Sequence, residues 1–448
     1  MKHFTISQAA AACQGRLSRA DCEERELGRV VIDSRQVRPG DLFVAYKGEK
    51  ADGHDYIPKA FDLGAACCLA ERVPEGETRP VLLVPDVQKA LEQIAAAYRA
   101  TLDLPVVGVT GSVGKTSTKE MIAAVLAQRF SVLKTEGNFN NQIGVPMTVS
   151  RIEPEHEVAV VELGISGFGE MTALARIARP RIAVFTVIGH AHLEMLGDLE
   201  GVFRAKTELL PFLPEDGVVI VNGDDPYLKA LRCPQRRITV GLGSENDLRA
   251  EEIRSVGEER TDFTLVYGEQ RIPVTIPAYG RHLVFAALEG AAVGLAFGLT
   301  GEEIAAGIAN FRTVGRRGAM VETGYLTLID DSYNANPDSV KCGIDSLLQL
   351  PGRHVAILGD MLEMGETGAA LHREVGRYAR ERGVDLLLCA GPLGACFAEG
   401  AGEIARHFPD NAALIEALPR LLQRGDTVLV KASLRMDFAK VAEAVKQL

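Results

Sequence analysis

A glycine-containing turn followed at once by Lys115, Thr116 and Ser117 is the part of the sequence best equipped for chemistry. Gly111, Ser112, Val113 and Gly114 turn the chain out of a short apolar run and into a helical pattern with Met121, Ile122, Val125 and Leu126 inward. Such a turn aims several free backbone N–H groups at one point, where the helix dipole also favours negative charge. Lys115 adds a mobile cation, and Thr116 adds a hydroxyl able to ligate Mg²⁺. The chemistry implied is the grip on an ATP triphosphate. The common phosphate-loop pattern has glycine five residues ahead of the Gly-Lys pair, where Val109 stands, so the loop here is tighter. The alternative is an ordinary strand–helix turn with an exposed lysine. Strand, turn, lysine, hydroxyl and helix in the required order weigh against it.

Further along, Glu162 ends a wholly apolar run, read as a strand. A carboxylate at the carboxyl end of a parallel strand beside a phosphate loop can serve Mg²⁺ directly or through water. His190 and His192 follow the next strand, where a single histidine is ordinarily structural. Lys206 lies in a helical stretch, where the plain reading is a surface lysine. Asn138, Asn140 and Asn141 crowd a segment with few charges; they suit turns, and they also suit hydrogen bonding to a large polar substrate.

These residues need elements to hold them. Residues 1–103 alternate short strands and helices and read as a small α/β domain with a polar edge at Asp33, Ser34 and Arg35. Residues 104–313 hold the phosphate loop and strands over 158–163, 182–187 and 217–221 of a mostly parallel sheet. Residues 314–448 form a third alternating unit, Rossmann-like but without a Gly-x-Gly-x-x-Gly fingerprint, so dinucleotide binding is not expected.

The 448-residue length suits two to four domains, each with its own core. A formal net charge of −11 argues against nonspecific binding to nucleic acid or anionic membrane. The N-terminus lacks the apolar run of a signal peptide. The most membrane-like stretch, 282–299, carries Glu289 and reads as a packed core helix. Eight scattered cysteines lack paired metal spacing, as expected of reduced thiols in a cytoplasmic protein.

Across essentially its whole length the chain resembles the Mur ligase family, and its D-alanyl-D-alanine-adding branch in particular. The resemblance rests on Asp33-Ser-Arg35 with residues 39–45, on Asp52-Gly-His54, and on residues 108–120, 138–146, 330–338 and 358–366. It implies an ATP- and Mg²⁺-dependent ligase whose substrates are a UDP-N-acetylmuramoyl tripeptide and D-alanyl-D-alanine, acting through an acyl phosphate. It implies that residues 111–117 bind the ATP phosphates, with Lys115 on the γ-phosphate and Thr116 on Mg²⁺. Glu162 and His192 would serve the metals, and Lys206 matches the lysine that the family carbamylates with CO₂. Asp331 and Asn336 would hold the nucleotide from the third domain, and Arg317 would reach the phosphates. Ser34, Arg35, Asn138, Asn140 and Asn141 would face the UDP-sugar peptide. A monomer is expected. Three positions depart from the family: Ala286 stands where an asparagine meets the base, Leu434 replaces an arginine with Arg435 one position late, and Arg316 and Arg317 compete for one role. Rival readings are a sister ligase that adds a diamino acid or glutamate, and a phosphate-loop ATPase switch.

Overall fold

The computed structural model describes residues 1–19, 21–48, 51–256 and 260–448. Three sheets succeed one another along the chain, each flanked by helices. The expected three-unit α/β architecture is what the chain forms.

The first sheet runs in the order Arg16–Leu17, Val81–Leu83, Cys67–Ala70, Leu42–Val44, Val30–Val31. Only the Arg16–Leu17 pairing is antiparallel. Strand residues buried on both faces explain the unbroken apolar runs in the sequence. Beyond Val31 the chain does not continue as a strand towards Arg35. Asp33 accepts a hydrogen bond from the Arg35 N–H and caps a 3₁₀ turn, Ser34–Gln36. The helix Val87–Ala100 buries Leu91, Ile94, Ala95 and Tyr98. It also ties the first unit to the second: Tyr98 donates to the Ile152 carbonyl, and Arg99 to that of Ala178.

The second sheet has nine strands, with Val106–Thr110 between Ile182–Phe185 and Val158–Glu162. Seven strands, from Val132–Lys134 to Leu248–Val256, are mutually parallel. Arg260–Tyr267 and Gln270–Ile276 then fold back as an antiparallel edge absent from the sequence reading. Arg249 and Glu251 on Leu248–Val256 and Arg271 on Gln270–Ile276 form a charged cluster at this edge, which blunts strand-to-strand aggregation. The third sheet is parallel except for its first strand, Ala319–Glu322. No helix among the described residues is long and apolar enough to cross a membrane.

The helix His282–Ala296 is buried along its length, as the sequence led one to expect, and packs on the helix Lys115–Leu126 that follows the phosphate loop. Glu289 sits within that contact. Thr118 donates to its Oε2 at 2.6 Å, while Oε1 lacks a partner among the described residues. Burial pushes this carboxyl up to about 8, against an ordinary 4.5. The folded state therefore holds a proton that the unfolded chain releases. This stabilisation is complete below about pH 4.5 and is lost as pH rises towards about 8. Glu289→Gln should remove that slope, on the order of 5 kcal/mol across the window. Urea unfolding of both proteins at pH 5 and pH 8.5 checks this; equal pH dependence of the two would refute it.

Candidate active site

Register places Val109 opposite Glu162 and Thr110 opposite Phe185, so three parallel strand ends meet where the phosphate loop begins. This is the edge at which open α/β sheets take ligands. Gly111 adopts φ +149°, and a Cβ there would lie 1.9 Å from Thr186 Oγ1, so no larger residue fits. Thr186 Oγ1 donates to the Val113 carbonyl at 2.5 Å. The Ser112 N–H donates to Val187 O at 2.8 Å, and the Ser112 hydroxyl exchanges two 2.9 Å hydrogen bonds with Gly189. The loop is thus braced from behind by residues 186–189. In front, the helix Lys115–Leu126 has no side-chain cap, which leaves its first N–H groups directed at the loop.

Lys115 folds back to donate to Gly111 O at 2.8 Å. Desolvation pushes its ammonium below the ordinary lysine range; Glu162 opposes that shift and the charge of Arg317 adds to it. Glu162 is 1% exposed. Its Oε2 accepts from Thr116 Oγ1 at 2.9 Å and its Oε1 from Asn140 Nδ2 at 2.7 Å. Three residues singled out in the sequence are therefore in direct contact.

Lys206, on the helix Leu199–Thr207, is no surface lysine: it is 1% exposed. Among the described residues its amine has neither a hydrogen bond nor an ion pair. Burial, reinforced by the Lys115 cation, pushes it well below the ordinary lysine range. A neutral amine beside the phosphate loop is the form that can add CO₂.

His190 and His192 face the third unit. The His190 N–H donates to Asp338 Oδ2 at 2.6 Å, and His192 Nδ1 lies 2.5 Å from Glu363 Oε2. His192 holds the Glu363 carboxyl below its ordinary range. Arg317 stacks over the Tyr333 ring at 3.8 Å. Asp331 pairs with the buried Lys431, which also donates to Asn334 O at 2.9 Å. Asn336 stands at a helix start. It caps the helix Pro337–Leu347, its side chain accepting from Ser339 N at 2.8 Å.

In the first unit, Ser34 is buried and Arg35 is largely exposed, paired with Asp33 at 2.8 Å. Asn141 Oδ1 accepts from Gly144 N at 3.0 Å and so turns the chain into the helix Gly144–Val149. The side chain of Asn138 makes no hydrogen bond among the described residues. Gln88, in the first turn of the helix Val87–Ala100, donates to Gln142 at 3.3 Å, so that helix start abuts the asparagine segment.

Thr186, Asp338 and Glu363 were missed in the sequence. Thr186 could have been found by the reasoning that found Glu162, since it follows the neighbouring strand. The two carboxylates lie within the family-like stretches 330–338 and 358–366, but their residue types alone do not say which histidine each meets.

No group of three or more His, Cys, Asp or Glu side chains suited to a metal occurs among the described residues. Mg²⁺ needs less than a full protein cage, because it retains waters and binds substrate phosphates beside one or two protein oxygens. Thr116 and Glu162 meet that requirement. An ammonium at Lys206 would not, whereas its carbamate would.

Three family descriptions match successive parts of the chain: Mur ligase family, catalytic domain, over residues 26–99; Mur ligase middle domain over 109–294; and Mur ligase, glutamate ligase domain, over 316–434. The UDP-N-acetylmuramoyl-tripeptide–D-alanyl-D-alanine ligase of Bacillus subtilis is 39% identical, with 99% of this chain and 98% of the relative covered. The chain belongs to the Mur ligase family. The Escherichia coli ligase of the same name is 38% identical over 100% of this Mur ligase and 99% of its own length. In three dimensions the chain is similar to MurF from Acinetobacter baumannii, at 30% identity, TM-score 0.91 and 99% coverage of both chains. It is also similar to the MurF ligase from Thermotoga maritima in complex with ADP, at 29% identity, TM-score 0.84 and coverage of 94% and 97%.

Proposed function

We propose that this Mur ligase joins D-alanyl-D-alanine to a UDP-N-acetylmuramoyl tripeptide at the expense of ATP, in the cytoplasm and as a monomer. The observation that carries the reading is the Glu162 carboxylate held between Thr116 of the phosphate loop and Asn140 of the amide-rich segment. It supports a reading in which the end of the triphosphate lies beside side chains that hydrogen-bond a large polar substrate without adding charge of their own. Relatives of the same length and named activity supply the identity of the substrates.

A carboxylate is a poor electrophile, so amide formation in water needs activation. In the proposed reaction a terminal carboxylate oxygen of the tripeptide attacks the γ-phosphorus and ADP leaves. The amine of D-alanyl-D-alanine then attacks the acyl carbon, loses a proton and expels phosphate. Residues 111–117 cradle the phosphates, and Lys115 meets the charge that builds at the γ-phosphoryl group. Thr116 and Glu162, with His192 and a carbamylated Lys206, would hold Mg²⁺, which supplies charge neutralisation when bound. Arg317, Asp331 and Asn336 approach the nucleotide from the third unit. Ser34 and Arg35 of the first unit, with Asn138, Asn140 and Asn141 of the second, receive the UDP-sugar peptide. With one unit per large substrate, closure keeps water from the acyl phosphate.

Incubation with ATP, Mg²⁺, D-alanyl-D-alanine and the UDP-linked tripeptide, in lysine and diaminopimelate forms, should yield a pentapeptide by mass and one ADP per product. Absence of product with both forms would overturn the assignment. Turnover with a single amino acid instead would make the protein a sister ligase, and ATP hydrolysis indifferent to any acceptor would make it a switch.

A further inference from the structure

One turn beyond Lys115, on the same helix, Lys119 is fully buried. Its Nζ donates to the Thr135 carbonyl at 2.6 Å and pairs with Glu120 Oε1 at 2.9 Å; Glu120 in turn pairs with Lys134. An ammonium inside a core is costly unless paired and hydrogen-bonded, and an apolar side chain would fill the same space at lower cost. What the lysine holds is therefore informative.

Thr135 is also fully buried and occupies the junction between the strand Val132–Lys134 and the asparagine segment. Its N–H is taken by Val160 O at 3.0 Å, and its hydroxyl accepts from the Glu162 N–H at 3.0 Å. Its carbonyl is the atom Lys119 engages. Five residues on, Asn140 reaches Glu162, and its own carbonyl accepts from Gly164 N at 2.8 Å. Residue 164 has no room for a Cβ, which would lie 2.8 Å from the Asn140 side chain. Thr135 and Asn140 thus grip the Glu162 strand end from two sides, and Lys119 fixes the first of them to the helix that carries Lys115 and Thr116.

We propose that Lys119 is a positioning residue, which sets the asparagine segment, and through it Asn140, in register with the phosphate loop for tripeptide binding. The proposal rests on the reading that this segment receives the UDP-linked tripeptide. Lys119 touches no substrate; it acts through Thr135 and Asn140.

The test is a double-mutant cycle on tripeptide affinity, read by calorimetry with a non-hydrolysable ATP analogue present. Lys119→Met keeps the volume but removes the donor, and it should weaken the tripeptide about 10-fold while changing affinity for the analogue less than about 3-fold. Asn140→Ala should weaken the tripeptide by a similar factor. The double variant should lose no more than about 20-fold, because both changes disable one arrangement, whereas independent effects would multiply to about 100-fold. Multiplying losses, or a folded Lys119→Met with unchanged tripeptide affinity, would overturn the proposal. Failure of the wild-type protein to bind the tripeptide would overturn the functional reading instead. Hydrogen exchange on the wild type gives a second reading that no unfolded variant can obscure. The analogue alone should slow exchange of amides 135–141 at least about 5-fold, and unchanged exchange there would count against the linkage.

Discussion

Lys115→Ala is expected to lower pentapeptide formation by about three orders of magnitude or more, with the fold intact. Its hydrogen bonds go to Gly111 and Ser112, two carbonyls of the loop itself. Substrate phosphates would draw the ammonium away from them. Neither the strand behind the loop nor the helix after it depends on this side chain: Thr186, Val187 and Gly189 brace the loop independently. The melting temperature should therefore shift by no more than about 3 °C. Catalysis has no comparable substitute. Arg317 bears on the same place from the third unit, but it stacks on Tyr333 and lies outside the loop. The loss should appear mainly in kcat, since a charge that develops in the transition state is what the lysine meets. Steady-state kinetics beside a thermal melt decide it. Turnover within about 10-fold of wild type in a folded variant would remove Lys115 from the mechanism.

Much of this site could be read from residue types, because the needed information was local. The order of strand, turn, lysine and hydroxyl at 106–117 specifies a phosphate loop, and the apolar runs specify strands buried on both faces. Asn336 carried a local signal too: an asparagine before proline, with a serine three residues on, is a helix start, and capping is what its side chain does. The burial of Lys206 was also legible in principle. Val202, Lys206 and Leu209 follow the i, i+4, i+7 spacing of one helix face, and all three are buried. The antiparallel edge of Arg260–Tyr267 and Gln270–Ile276 escaped notice because Arg260, Asp262 and Arg271 break up its apolar positions. Contacts between units lay out of reach. His192 meets Glu363 across 171 residues, and only the assembled chain brings them together.

Lys206→Ala should be nearly inactive, and the reason differs from that for Lys115. A protonated Lys206 would repel Mg²⁺, and it would sit unpaired in the core beside a second cation. Burial and Lys115 both disfavour that ammonium and push the amine well below its ordinary range. The neutral amine can add to CO₂: its nitrogen forms a bond to carbon, a proton leaves, and a carbamate remains. The local charge changes from positive to negative, and two oxygens suited to Mg²⁺ would join those of Thr116 and Glu162. The loss on truncation should be on the order of 10³-fold, as for a group that stabilises charge at the reacting centre. A short-chain carboxylate in the buffer should restore part of the rate to the alanine variant and none to Lys115→Ala. Bicarbonate should stimulate CO₂-depleted wild-type enzyme and leave Lys206→Ala unmoved. Independent of turnover, ¹³C-labelled bicarbonate should give the wild type one carbamate resonance that the variant lacks. Full activity of Lys206→Ala, or that resonance persisting in it, would return this lysine to a purely structural role.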